Sequence, residues 1–124
     1  MPFLEATLSL PHSVVLILDP AVGEPPEAMD GRLVSASGSC VAVGALSEAD
    51  GPTRIVLGDV TGPPLDEALS LRWTGEIETG GTVAVTTVLG DVVLRADSPS
   101  RLTLEVWTND VSEPDLIYVV PRPA

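Results

Sequence analysis

Strict two-residue alternation of apolar and polar side chains recurs along this chain of 124 residues. Leu4, Ala6, Leu8 and Leu10 fall on one face of the opening segment, and Phe3, Glu5, Thr7 and Ser9 fall on the other. Successive side chains of an extended strand point to opposite sides, so this spacing predicts a half-buried strand. The stretch 69–78 repeats the pattern, with Leu71, Trp73 and Ile77 on one side and Ser70, Arg72, Thr74, Glu76 and Glu78 on the other. In 101–106, Leu102, Leu104 and Val106 point inward, and Arg101, Thr103 and Glu105 outward. Four further runs, 14–18, 41–43, 55–57 and 116–120, are apolar throughout and rich in β-branched residues. Each is shorter than an ordinary helix, and they predict strands covered on both sides or central in a sheet.

The punctuation between these runs is that of a β protein. Thr79-Gly80-Gly81-Thr82 and Leu89-Gly90-Asp91-Val92 place glycine where a tight hairpin needs positive φ angles, which predicts a three-stranded meander over 69–96. The stretches 19–31 (DPAVGEPPEAMDG), 46–52 and 61–68 read as exposed connections, the last ending in one turn of helix at 65–68. The five residues Val-Leu-Gly-Asp-Val occur at both 56–60 and 88–92. With unmatched flanks they are read as two strands ending in the same Gly-Asp turn chemistry, not as a duplication. The expected fold is all-β: an antiparallel β-sandwich of roughly eight to ten short strands with at most one short helical turn. A single domain is expected over 1–124, a length suited to one core.

Composition narrows the function more than the fold. Eighteen acidic residues oppose six basic ones, for a formal net charge of −12, and every basic residue is arginine. Such a balance argues against direct binding to nucleic acid or to anionic membranes, and it would attract a basic protein. The same numbers also fit a GC-rich genome with an acidic proteome, in which surface charge serves solubility. No apolar run approaches the ~20 residues that span a bilayer. The opening residues lack a basic segment followed by an apolar one, so cytoplasm is the expected compartment. Cys40 is the lone cysteine, which suits a reducing compartment and a buried small hydrophobe.

Catalytic schemes find few parts. His12 is the only histidine. Ser13 is its immediate neighbour and Asp19 follows the next apolar run, but adjacent strand residues face opposite ways, and no triad is expected. One Cys and one His cannot supply an ordinary zinc set. Asn109, Asp110, Glu113 and Asp115 offer calcium-type oxygen ligands without an EF-hand spacing, and a solvated loop is the expected reading there. Glu76, Glu78, Asp91 and Glu105 are the carboxylates open to glycoside chemistry, a signal that any acidic chain would give. No metal, cofactor or catalytic residue is assigned, and no enzyme activity is expected.

The order of features resembles that of small bacterial β-sandwich proteins of the competence protein J type, inhibitors of a DNA-entry nuclease. The resemblance lies in the paired opening runs 4–10 and 14–19, a long loop, and the closing series 81–85, 98–104 and 116–121. It implies a non-catalytic inhibitor or immunity-like protein whose carboxylates enter a basic groove on a nuclease. Glu24, Glu27 and Asp30, with Asp110, Glu113 and Asp115, are the residues it nominates for that contact. Two other classes stay open. One is a structural or assembly subunit, a homo-oligomer joined through strand edges and Trp107; the other is a small carbohydrate-active or calcium-binding β protein.

Overall fold

The computed structural model describes residues 4–58 and 68–123. Phe3, the last two residues of the first Val-Leu-Gly-Asp-Val copy, and all but Ala68 of the expected helical turn lie outside them.

Ten strands run in chain order: β1 (Leu4–Leu8), β2 (Val14–Leu18), β3 (Val34–Ala36), β4 (Cys40–Gly44), β5 (Thr53–Leu57), β6 (Ser70–Glu78), β7 (Thr82–Thr87), β8 (Val92–Asp97), β9 (Arg101–Thr108) and β10 (Leu116–Pro123). They form two five-stranded sheets, β1-β5-β10-β9-β6 and β3-β4-β2-β7-β8. The expected sandwich is present, with one departure from the antiparallel rule: β5 and β10 pair in parallel, Ile55 opposite Ile117. The helical element among the described residues is a single 3-10 turn at Pro11–Ser13.

Alternation places the core. Val15 and Ile17 of β2, Val41 and Val43 of β4, and Val83 and Val85 of β7 face Ile55, Leu57, Ile77, Leu102, Leu104, Val106, Ile117 and Val119 of the other sheet, all buried in one cluster. These aliphatic rows interdigitate between the sheets as the two inner faces of a sandwich do. The continuous apolar runs are explained by a second layer on each outer face. Leu16, Leu18, Cys40 and Ala42 lie beneath Met29 of the β2–β3 loop. Val56, Tyr118 and Val120 form a cluster with Leu69, Trp107 and Leu116.

The chain changes sheets four times, and each end of the sandwich carries two crossings joined by hydrogen bonds. At the end where β2 begins, the 9–13 and 45–52 crossings meet through the Ala45 amide on the Ser13 carbonyl at 2.8 Å. Fully buried Leu10 plugs the core there. At the opposite end, the 79–81 and 98–100 crossings meet through the Thr79 amide on the Ser100 carbonyl at 2.9 Å and the Ser98 amide on the Gly81 carbonyl at 3.0 Å. The Thr79 hydroxyl reaches the Ser98 hydroxyl at 3.0 Å and donates to the Pro99 carbonyl at 2.8 Å.

This arrangement corrects the expected meander. Gly80-Gly81 does not close a hairpin: β6 pairs with β9 in one sheet and β7 with β2 and β8 in the other. Gly81, at φ +116°, turns the chain across the sandwich instead. The second glycine signal holds, since β7 and β8 are a hairpin closed by residues 88–91 with Gly90 at φ +92°. That loop has four residues, and Val88-Leu89 lie in it, whereas Val56-Leu57 are strand residues. The two copies of the pentapeptide therefore differ in structure from their first residues.

Leu71 is the other correction. The register of β6 on β9 slips between Leu71, opposite Trp107, and Trp73, opposite Val106. The extra residue is Arg72, a bulge that breaks the two-residue phase. Trp73 and Ile77 keep the inner face, with Gly75 leaving room for the Trp73 indole, while Leu71 is turned outward and is 46% exposed.

Two substitutions test this packing. A Cβ on Gly58 would overlap the buried Tyr118 ring, whereas nothing lies within 4 Å of one on Gly38. Gly58→Ala is therefore expected to lower stability by about 1–3 kcal/mol, and Gly38→Ala by less than about 0.5 kcal/mol, in urea unfolding. Thr53 is fully buried on the inner face and its hydroxyl has no hydrogen-bond partner. Thr53→Val removes an unmatched polar group at nearly constant shape and is expected to raise stability by about 1 kcal/mol in the same assay.

Candidate functional site

The end of the sandwich at which β2, β5 and β10 begin carries the β9–β10 loop (109–115), the β4–β5 crossing and the β7–β8 loop. The first of these is built by its own polar side chains. Asp110 Oδ2 accepts the amides of Glu113 at 2.8 Å and Ser112 at 3.0 Å, together with the Ser112 hydroxyl. The Thr108 hydroxyl donates to the Asp110 carbonyl at 2.6 Å. Asn109 Nδ2 donates to Asp115 Oδ1 at 2.6 Å, and its Oδ1 accepts the Leu116 amide at 3.2 Å. The Glu113 and Ser112 amides hold the Asp110 carboxyl below its ordinary range, since hydrogen bonds to the charged form favour it. Among the described residues no three His, Cys, Asp or Glu side chains come together as a metal set.

This loop rests on the β4–β5 crossing. The Leu46 amide donates to the Pro114 carbonyl at 2.9 Å, and the Arg54 amide to the Asp115 carbonyl at 2.8 Å, with Pro114 buried between them. Glu48 and Asp50 thereby join Asp110, Glu113 and Asp115 on one end, all five exposed. Asp91 of the β7–β8 loop lies at the same end and is also exposed. The polar character of 46–52 was legible, but its adjacency to 109–115 was not, and Glu48 and Asp50 are the residues that sequence reasoning left out.

The remaining nominated residues lie elsewhere. Glu24, Glu27 and Asp30 line an open depression of about 570 Å³ with Arg32, Ser35 and Ser37, beside β3. The loop is fixed there by the Glu24 amide on Ser39 Oγ at 2.9 Å and by Ser37 and Ser35 hydroxyls on the carbonyls of Glu24 and Ala28. Trp107 is half-buried on the outer face of the opposite sheet, its Nε1 donating to Glu105 Oε1 at 3.2 Å. Glu105 also holds Arg122 through both carboxylate oxygens, at 3.2 and 3.3 Å. The seven nominated residues thus divide among one end and two opposite faces.

The groups considered for catalysis are also separated. His12 is exposed in the 3-10 turn at φ 58°, and Asp19 lies beyond the far end of β2. Asp19 begins the loop expected to be solvent-exposed, yet it is 4% exposed. Its Oδ1 accepts the Ala21 amide at 2.9 Å and its Oδ2 the Gly80 amide at 2.7 Å, which fastens the β2–β3 loop to the β6–β7 crossing. Those two amides, against the opposing effect of burial, hold its carboxyl below the ordinary value. Cys40 is fully buried, and burial pushes its thiol up to about 11.

Geometry of this kind defines a two-layer β-sandwich with carboxylate loops at one end and against one outer face. The crystal structure of ComJ from Bacillus subtilis, inhibitor of the DNA degrading activity of NucA, has this fold: TM-score 0.68, with 95% of this chain and 93% of that chain covered at 12% identity. The resemblance in layout is thereby borne out as a shared fold. No protein-family model matches the chain, and no curated protein is similar to it in sequence.

Asp19 gives the pH test. Its lowered folded value means that its contribution is present above the unfolded aspartate value and is lost as pH falls through the folded one. Asp19→Asn is expected to lower the urea midpoint at pH 7 and to flatten the fall in stability below pH 3.8, the ordinary value. Wild-type and variant curves running parallel through the acid limb would remove Asp19 from this role.

Proposed function

We propose that the chain is a non-catalytic protein-binding module that inhibits a basic partner, a DNA-degrading nuclease being the partner class its fold counterpart suggests. The observation that carries this reading is the acidic end: five exposed carboxylates on two loops, fastened together by the Leu46–Pro114 hydrogen bond. A rigid array of carboxylates presents charge as a run of phosphates does, so it competes for a cleft that binds a DNA backbone. It also speeds encounter with a positively charged surface, an effect that salt screens. Asp110, Glu113 and Asp115 belong to this array. Glu24, Glu27, Asp30 and Trp107 lie away from it, and a standard interface of about 800 Å² per partner does not reach all seven.

The test is inhibition of DNA degradation by purified basic nucleases, NucA included, at low and high salt. Among the described residues the Glu48, Asp50 and Glu113 side chains hold no hydrogen bond that the fold requires, so Glu48→Gln, Asp50→Asn and Glu113→Gln together are expected to leave thermal unfolding unchanged while slowing association about tenfold at low salt. At high salt the difference is expected to vanish. Failure of the wild-type chain to inhibit any of these nucleases overturns the inhibitor reading, and equal association rates for the two proteins remove these carboxylates from the contact.

A further inference from the structure

Among the described residues six large apolar side chains are exposed: Val22, Leu71, Val88, Leu89, Val92 and Val111. All but Val22 lie at the acidic end. Val88, Leu89 and Val92 belong to the β7–β8 hairpin loop and its exit, Val111 to the tip of the β9–β10 loop, and Leu71 to the start of β6 opposite Trp107. Leu89 and Val111 are the most exposed, at 65% and 66%.

Neither side chain is on a loose segment. Thr87 Oγ1 accepts the amides of Leu89 at 3.2 Å and Asp91 at 3.3 Å, and the Thr87 and Asp91 backbones close the turn at 2.9 Å. Val111 is held by the Asp110 turn that binds the two residues after it. Apolar groups presented on fixed turns bind without a large ordering cost, and exposed apolar side chains with polar neighbours mark an interaction surface. The charge of those neighbours identifies what it fits. Glu48, Asp50, Asp91, Asp110, Glu113 and Asp115 stand exposed at this end and outnumber the basic side chain Arg72, whose Nε is spent on the Thr108 hydroxyl at 3.0 Å. A second copy of this chain would bring like charges together, and nucleic acid or an anionic membrane would be repelled.

We propose that this end docks on a positively charged protein that carries apolar recesses, with Leu89 and Val111 as anchors entering those recesses inside a ring of carboxylate contacts. The proposal rests on the reading of the chain as a binder of a basic protein and adds the apolar contact that holds the complex. The carboxylates set the rate of encounter, and the two anchors set the residence time.

Two synthetic peptides of equal length and charge, one alternating Arg with Leu and the other Arg with Ser, separate these contributions. In ¹⁵N-resolved NMR titrations the Arg–Leu peptide is expected to shift the resonances of residues 88–92 and 111 and to bind about tenfold more tightly than the Arg–Ser peptide. The double variant Leu89→Ser, Val111→Ser is expected to lose that advantage, to keep the wild-type affinity for Arg–Ser, and to unfold at the wild-type temperature. Equal affinity of the wild-type chain for both peptides, or shifts centred on residues 25–29, would overturn the proposal. Nuclease inhibition that survives the double variant also overturns it while leaving the inhibitor reading intact. Arg–Leu binding at this end without inhibition of any nuclease leaves the docking surface standing and removes the inhibitor reading.

Discussion

One dry aliphatic layer between two sheets constrains the rest of this molecule. Its rows are Val, Ile and Leu at alternate positions of seven strands, and they exclude water only if both ends of the sandwich are closed where the chain changes sheets. The protein closes each end differently. Leu10 and Ala45 plug one end with hydrocarbon, and the crossings there are tied through the backbone bond from Ala45 to Ser13. The other end is sealed by polar groups: buried Thr79 and Asp19 spend their oxygens on backbone amides, a neighbouring hydroxyl and a carbonyl. Buried polar groups are tolerated when their hydrogen bonds are made. Asp19 is the cleanest instance, an ionised carboxyl whose two oxygens each receive a backbone N–H.

Because the sheets are covered on their outer faces as well, by Met29 on one side and by Leu69 and Trp107 on the other, the projecting loops become the places where the molecule can meet a partner. The 109–115 loop shows how this is done. Asp110 and Asn109 serve the loop's own backbone and fix its shape, which leaves Glu113 and Val111 to face solvent. Charge and apolar surface then stand side by side on one rigid end. Acidic side chains beside fixed apolar tips suit the proposed partner of opposite charge.

Alternation made much of the fold legible before any coordinates. The inner rows of β1, β9 and most of β6, and the doubly covered runs that became β2, β4, β5 and β10, are where periodicity and β-branching placed them. The hairpin at Gly90 was legible for the same reason, since a local turn joins strands that pair locally. Three errors have one origin. Gly80-Gly81 has the same local chemistry as a hairpin turn, and only the pairing of β6 with β9 and of β7 with β2 makes it a crossing. Leu71 keeps phase with Trp73 in sequence, and only the bulge at Arg72 separates them. Asp19 reads as the first residue of an acidic loop, and only the arrival of Gly80, distant in sequence, turns it into a buried fastening.

The sequence by itself determined the class of fold and the shortage of catalytic parts, because side-chain period, β-branching and residue inventory are local properties. The carboxylate count and the nominated residues of the 109–115 loop were equally visible. Which of those carboxylates share a surface was decided by tertiary structure alone. The β4–β5 crossing brings Glu48 and Asp50 beside Asp110 and Glu113, while the β2–β3 loop carries Glu24, Glu27 and Asp30 to another face. Neighbourhood across a sandwich is set by strand order and by where the chain changes sheets, and neither leaves a periodic signature in the residues that end up together.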